Sequence, residues 1–362
     1  MIARCLALLI FILAAGGTLP PAASRAAQNL QGAAPPITEL IFGSSAQGRP
    51  IGGVKIGAGP RKLFVIGDTH GGPEANTYEL AVALADYFRA NPAAVPAEVS
   101  LYIVPSLNPD GLVLGSRFNS RGVDLNRNMD TNFDACPEND WSRTVEGAYG
   151  IVSDTGGEFV ESEVESQLVR DMVLDASAVI FLHSLGGDVF PAFCEHGPSI
   201  ELAKAYAAAS GYRYDRYWQQ YRITGGMHDW AGALGIAAIT PELSTGELPD
   251  TEQNLAAVLA VLGEAERLLP LPGEVTEAAT GVRMPALLWR YWRAHGGPEW
   301  FGLPVSPAVE RDGRQTVFFE RQHLILTPEG ADALAPVRRA DGGREAWARW
   351  LLEAPAAAYQ PR

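Results

Sequence analysis

His70 and Glu74 stand in the stretch GDTHGGPEANTY, separated by Gly71, Gly72 and Pro73. An imidazole and a carboxylate on one short loop could hand two ligands to a metal. A Gly/Pro turn that carries two unrelated polar residues has the same spelling. A hydrolytic zinc takes three protein ligands from His and Asp/Glu and keeps a fourth position for water. The chain has six histidines, which narrows the choice. His183 ends the apolar run ASAVIFLHS, and Glu242 falls near the end of GIAAITPEL. Any one of these is more often a hydrogen-bonded structural residue than a ligand, so the set is judged together. Ser184 beside His183 suggests a serine nucleophile only weakly, because no Gly-x-Ser-x-Gly elbow accompanies it.

The elements that must position these residues alternate between strand and helix. ELIFGSSAQGRPIGGVKIG reads as strand, turn and strand, and RKLFVIGDTH as a buried strand ending at His70. NTYELAVALADYFRANP has helical periodicity, with Asn76 and Glu79 spaced as a capping box and Pro92 as its stop. EVSLYIVPSLNPDG reads as a strand followed by a Pro-Asp-Gly turn that Asp110 holds. SEVESQLVRDMVLD reads as a helix with Ser162 and Glu165 as a second capping box. Glu79, Glu161, Glu163 and Glu165 are expected on caps and solvated faces. SIELAKAYAAAS and DTEQNLAAVLAVLGEAERLL complete the helices. This alternation predicts an α/β sheet buried on both faces. Ligands of such sheets sit outside the carboxyl ends of strands, which is where His70, His183 and Glu242 fall.

The chain has 362 residues, 47% of them hydrophobic, ample for one large and one small domain. A net charge of −14 argues against nucleic-acid partners and against adsorption to anionic membranes. The N-terminus, MIARCLALLIFILAAGG, reads as residues 1–26 of a signal peptide cleaved after Ala26, with an uncleaved anchor as the alternative. The mature protein is then expected to be secreted or on the cell surface, with no stable membrane insertion and little room for an inhibitory pro-segment. Cys136 and Cys194 remain as an even pair, which in an exported protein suggests a disulfide; two buried thiols are the alternative.

SLNPDGLVLGSRFNSRGVDLNRNMD, GGEFVESEVESQLVRDMV, VIFLHS, YRITGGMHDW and AITPELSTGE recur in the order found in the zinc metallocarboxypeptidases, the carboxypeptidase A-like hydrolases, and the chain resembles that family over residues 36–270. The resemblance implies a mixed, mostly parallel sheet with helices on both faces. It implies one Zn2+ ion held by His70, Glu74 and His183, with Glu242 as general base on a zinc-bound water. It assigns Arg117 to the developing oxyanion, with Arg121 as the competing arginine. Asn126 and Arg127 would grip a terminal carboxylate, for which the planar guanidinium fork is suited. Tyr221 would close over the substrate, a packing tyrosine being the alternative, and His228 would lie in the side-chain pocket or at its rim. Asp124 is expected beside the ligands rather than among them. The implied activity is a secreted bacterial metallocarboxypeptidase acting on peptides. A peptidoglycan-peptide amidase and a non-catalytic envelope-binding protein are the alternatives. A histidine in the pocket favours polar, acidic or aromatic C-terminal residues over basic ones.

The sequence departs from the family in one place. The family spells His-x-x-Glu, whereas here three residues intervene. Either the glycines let the loop bulge so that Glu74 still arrives, or another carboxylate such as Asp68 replaces it. Beyond residue 270 the composition shifts. Residues 271–285 read as a Pro/Gly linker, and 286–362 as a small aromatic-rich α+β module. LLWRYWRAHGGPEWFGLPVSPAVERDGRQTVFFERQHLILTP resembles the LGFP-type repeats of exported bacterial proteins, which implies contact with the cell envelope.

Overall fold

The structure is a computed structural model, and it describes residues 34–147, 150–327 and 336–353. The expected signal peptide lies outside the described residues. Strands β1 (Ile37–Ser44), β2 (Pro50–Ile56), β3 (Arg61–Ile66), β4 (Val99–Val104), β5 (Ala178–Phe181), β6 (His183–Ser184), β7 (Asp188–Pro191), β8 (Arg213–Tyr214) and β9 (Ala237–Leu243) form one sheet. Its order is β1-β2-β4-β3-β5-β9-β7-β8, with β6 alongside β9. The central neighbours β4, β3, β5 and β9 are parallel, while β1, β2 and β7 join antiparallel.

Both faces are covered, as the near-continuous apolar strands require. Leu63 and Val65 of β3, with Leu101 and Ile103 of β4, face helices α1 (Asn76–Ala90), α4 (Gly197–Ser210) and α6 (Thr251–Gly263). Phe64, Ile66, Tyr102 and Val104 alternate to the other face. There they meet α3 (Val164–Val173) and α5 (Met227–Ala233). A short helix, α2 (Pro109–Leu114), stands where a Pro-Asp-Gly turn was expected, and Asn108 caps it by accepting from the Gly111 amide.

Neither capping box forms. Asn76 instead donates to the Thr245 and Leu248 carbonyls, so its side chain ties α1 to the loop after β9. Ser162 donates to Glu163, and Glu165 receives the Ala46 amide and Asn119. Glu161, Glu163 and Glu165 are buried, not solvated. Long-range partners outcompeted the local caps at Asn76 and Glu165. Asp110 likewise reaches beyond its own turn, accepting from Ser45, Gln47, Arg49 and Ser120. The closing helix breaks at Glu264 and resumes for one turn over Ala265–Leu268.

Beyond residue 270, β10 (Glu274–Thr276) pairs with β11 (Arg283–Pro285) inside the segment read as a linker. Helix α7 (Ala286–Ala294) follows, then an antiparallel sheet of β12 (Val309–Arg311), β13 (Arg314–Phe318), β14 (Gln322–Leu326) and β15 (Val337–Asp341), and α8 (Arg344–Glu353). Trp292, Phe301 and Phe319 anchor its core. Arg290 on α7 is buried and donates to the carbonyls of Leu174, Ala176, Leu234 and Gly235. That one guanidinium pins α7 to the ends of α3 and α5.

Candidate active site

Strand β3 stops at Ile66, and the loop after it is tied to the loop after β4 by hydrogen bonds from Leu107 to Gly67 and from Asn108 to Asp68. Gly71 leads into a single 3-10 turn, Gly72–Glu74, which carries Gly72 and Pro73 and ends on Glu74 itself. Gly72 has φ +49°, and a Cβ there would stand 2.3 Å from the Gly115 backbone. A Cβ on Gly71 would stand 2.2 Å from the backbone of Gly111. Both glycines are therefore required for the loop to bulge and still deliver Glu74.

His183 arrives from β6, in register with Glu242 on β9. Glu74 Oε1 lies 2.7 Å from His70 Nδ1, Glu74 Oε2 lies 3.0 Å from His183 Nδ1, and the two Nδ1 atoms are 3.1 Å apart. Ligand atoms around one tetrahedral zinc, at ~2.0–2.1 Å from it, stand roughly 3.3 Å from one another. The donor set and its spacing therefore fit zinc. Burial pushes His183 down to about 4, so it is neutral, as a ligand must be. Burial and Arg117 press the His70 proton off, but Glu74 and Asp124 outweigh them and hold its pKa above the ordinary value.

Asp124 sits behind the ligands. Its Oδ1 is 2.9 Å from His70 Nε2, its Oδ2 accepts from Arg117 Nε at 3.0 Å, and its Oδ1 also accepts the Asn126 amide. Burial alone would raise its pKa, yet Arg117, His70 and Arg127 hold it well below the carboxylate range. Arg117 Nη1 donates to Glu74 at 2.8 Å. Arg121 instead points to Glu163 at 3.8 Å, largely exposed. Asp68, the rival carboxylate, accepts from Ser106 and lies outside the His70–Glu74–His183 cluster.

His70, Glu74, Arg117, Asn126, Arg127, His183, Tyr221 and Glu242 line one small cleft of about 60 Å³. Arg127 is buried, donates to the Asn126 carbonyl, and stacks 5.9 Å from the Tyr221 ring. Tyr221 also packs edge-on against Trp218, and it is half-buried. Asn126, in a 3-10 turn over Leu125–Arg127, accepts the Met227 amide, which fixes its side chain against the start of α5. Burial and the neighbouring Glu74 charge push the Glu242 carboxyl well above its ordinary range.

His228 lies next door. It lines a cleft of about 220 Å³ that shares Asn126, Trp218, Tyr221 and Glu242 with the first and adds Asn139, Phe190, Phe193, Asp229 and Thr240. Sequence reading missed all five of these additions. Only Thr240 carried a signal: it stands two residues before Glu242 on the same strand, hence on the same face. Cys136 and Cys194 form a disulfide across 58 residues, joining the segments that carry Asn139 and Phe193.

This fold and cleft are of the carboxypeptidase type. The family model described as Zinc carboxypeptidase matches residues 24–258, more than half of the chain, and the chain belongs to that family. Carboxypeptidase SOL1 of Arabidopsis thaliana is 28% identical over 292 residues, covering 65% of this chain and 55% of that protein. Murein peptide amidase A of Escherichia coli (strain K12) is 35% identical over 100 residues, covering 27% of this chain and 38% of that protein. The chain thus spans about half or less of the curated relatives it matches. Bovine thrombin-activatable fibrinolysis inhibitor shares the fold, with a TM-score of 0.52, 21% identity, and coverage of 63% of this chain and 90% of that one.

Proposed function

We propose that the protein is an exported zinc-dependent hydrolase that cuts a peptide or amide bond next to a terminal carboxylate. The observation that carries this reading is the convergence of His70, Glu74 and His183 with Glu242, Arg117 and Arg127 on one cleft. A zinc held by the first three would supply Lewis acidity, polarising a carbonyl and lowering the pKa of a water. The rest is work for the chain's own groups. Arg127, with no carboxylate within ion-pair distance among the described residues, offers its guanidinium to the substrate's terminal carboxylate, and Asn126 lies beside it. Tyr221, whose ring lies 5.9 Å from the Arg127 guanidinium, would close over the bound carboxylate. Arg117 has Nε and Nη1 committed to Asp124 and Glu74, which aims the remaining edge at the oxygen where negative charge develops. Glu242, its pKa raised, takes the proton from the attacking water and passes it to the leaving amine.

Export is supported by the apolar N-terminal segment and by the disulfide, since exported proteins meet oxidising conditions. A bacterial source and envelope contact through residues 286–362 belong to the same proposal. The likeness to Murein peptide amidase A favours cell-wall peptides as a second reading of the substrate. A non-catalytic envelope protein is the reading these residues oppose.

Purified protein is expected to hold one zinc, and Glu242→Gln to abolish turnover while retaining it. Absence of zinc, with no gain on adding it, sinks the proposal. A panel of C-terminal peptides and cell-wall peptides decides between the two substrates.

A further inference from the structure

Among the described residues, four that line the larger cleft each carry a buried side-chain atom with no hydrogen-bond partner: Asn139 Oδ1, Trp218 Nε1, His228 Nδ1 and Thr240 Oγ1. Buried polar groups in folded proteins are nearly always paired, so four orphans around one cleft call for a partner from outside the chain. Asn139, His228 and Thr240 are each more than nine-tenths buried.

The neighbours fix what each atom can do. Asn139 Nδ2 donates to Asp134 at 3.1 Å, which leaves Oδ1 as a pure acceptor. His228 Nε2 stands 3.2 Å from Asp229 Oδ1, and with the proton on Nε2 the unpartnered Nδ1 is an acceptor. Asp229 is itself held by the Phe193 amide at 2.8 Å. Trp218 Nε1 can only donate, and Thr240 can do either. The flanks are apolar: Phe190, Pro191 and Phe193. The disulfide ties the Asn139 segment to the Phe193 segment, so the acceptor and the apolar wall are held against each other.

We propose that this cleft selects a substrate side chain whose end both donates and accepts hydrogen bonds, with a primary carboxamide as the simplest such group. This rests on the hydrolase reading, in which the residue beyond the scissile bond enters this cleft. A carboxamide gives two N–H groups to Asn139 Oδ1 and His228 Nδ1, and its oxygen accepts from Trp218 and Thr240. An ammonium leaves the Trp218 N–H unmet. A carboxylate sets oxygen against two acceptors. A hydrocarbon leaves all four atoms bare. An amino-acid head at the end of a side chain, with ammonium and carboxylate together, has the same complement as the amide.

The test is calorimetric binding to the Glu242→Gln protein, which reads selection without turnover. Probes are benzoylglycyl-glutamine, -leucine, -lysine, -glutamate and -diaminopimelate. Glutamine or diaminopimelate is expected to bind at least tenfold tighter than leucine, the stronger of the two identifying amide or amino-acid head. Thr240→Val, nearly isosteric, and His228→Leu should each erase most of that preference, bringing the affinity ratio to leucine toward one. Leucine, lysine or glutamate binding as tightly as both overturns the inference, as does a preference that survives both substitutions. If the wild-type protein holds no zinc and hydrolyses nothing, the hydrolase reading fails, and the same binding order still decides this one.

Discussion

Asp124→Asn separates the carboxylate's charge from its shape. Asp124 receives three donors on two oxygens: His70 Nε2 at 2.9 Å, Arg117 Nε at 3.0 Å and the Asn126 amide at 3.0 Å. An amide in its place keeps one acceptor oxygen. Turned one way, its NH2 faces Arg117 Nε–H, donor against donor. Turned the other way, it donates to His70 Nε2 and fixes the tautomer with hydrogen on Nδ1, the nitrogen that faces Glu74 and His183. Either arrangement removes a hydrogen bond to a charged group, and the second also blocks the ligand nitrogen. Loss of such a supporting partner typically costs 10–100-fold in metal affinity, or about 1.4–2.7 kcal/mol. Zinc affinity measured by chelator competition should fall by that factor, and the metal-free protein should melt lower as well, because Arg117 and the Asn126 amide lose part of a buried charged acceptor. Affinity within threefold of wild type would refute the reasoning that Asp124 sets the His70 tautomer.

Gly71→Ala drives a Cβ to 2.2 Å from the Gly111 backbone, so zinc content and stability should both fall; a fully zinc-loaded variant of native stability rules out the bulged-loop account. Arg290→Met orphans four carbonyls and should cost about 2–4 kcal/mol in urea unfolding, with zinc affinity per folded molecule unchanged. Burial, then the Arg290 charge, depresses His196 from 6.5 to about 4. Between those pH values the unfolded chain binds a proton that the folded one refuses, so His196 lowers stability as pH falls from 6.5 to 4. His196→Asn should flatten that part of the melting-temperature profile; parallel profiles would remove His196 from the acid response.

Much of the architecture was legible because it rests on short-range pattern. The apolar runs of β3, β4, β5 and β9 and the helical period of α1 announce a doubly covered sheet, and ligands of such sheets gather at strand ends. Motif order was legible too, since Arg117, Asp124, Asn126 and Arg127 all lie on one continuous stretch of the chain. The capping boxes failed because Asn76 and Glu165 found partners far along the chain, which no local window contains. Glu161, Glu163 and Glu165 were misread for the same reason: their burial comes from Asn119, Arg170 and the Ala46 amide.

The sequence by itself determined the residue types, their order along the chain and the strands that carry them. It also posed the extra residue between His70 and Glu74 without resolving it. Only the tertiary structure decided that Gly72 turns with φ +49° and that Gly71 packs against α2, because those constraints come from backbone lying about forty residues away. It alone brought Asn139, Trp218 and Thr240 around one cleft with His228, which the resemblance had already assigned to the pocket. Hydrogen-bond satisfaction is a property of neighbours in space, and the segments bearing these four side chains are brought together by the sheet and by the Cys136–Cys194 bridge.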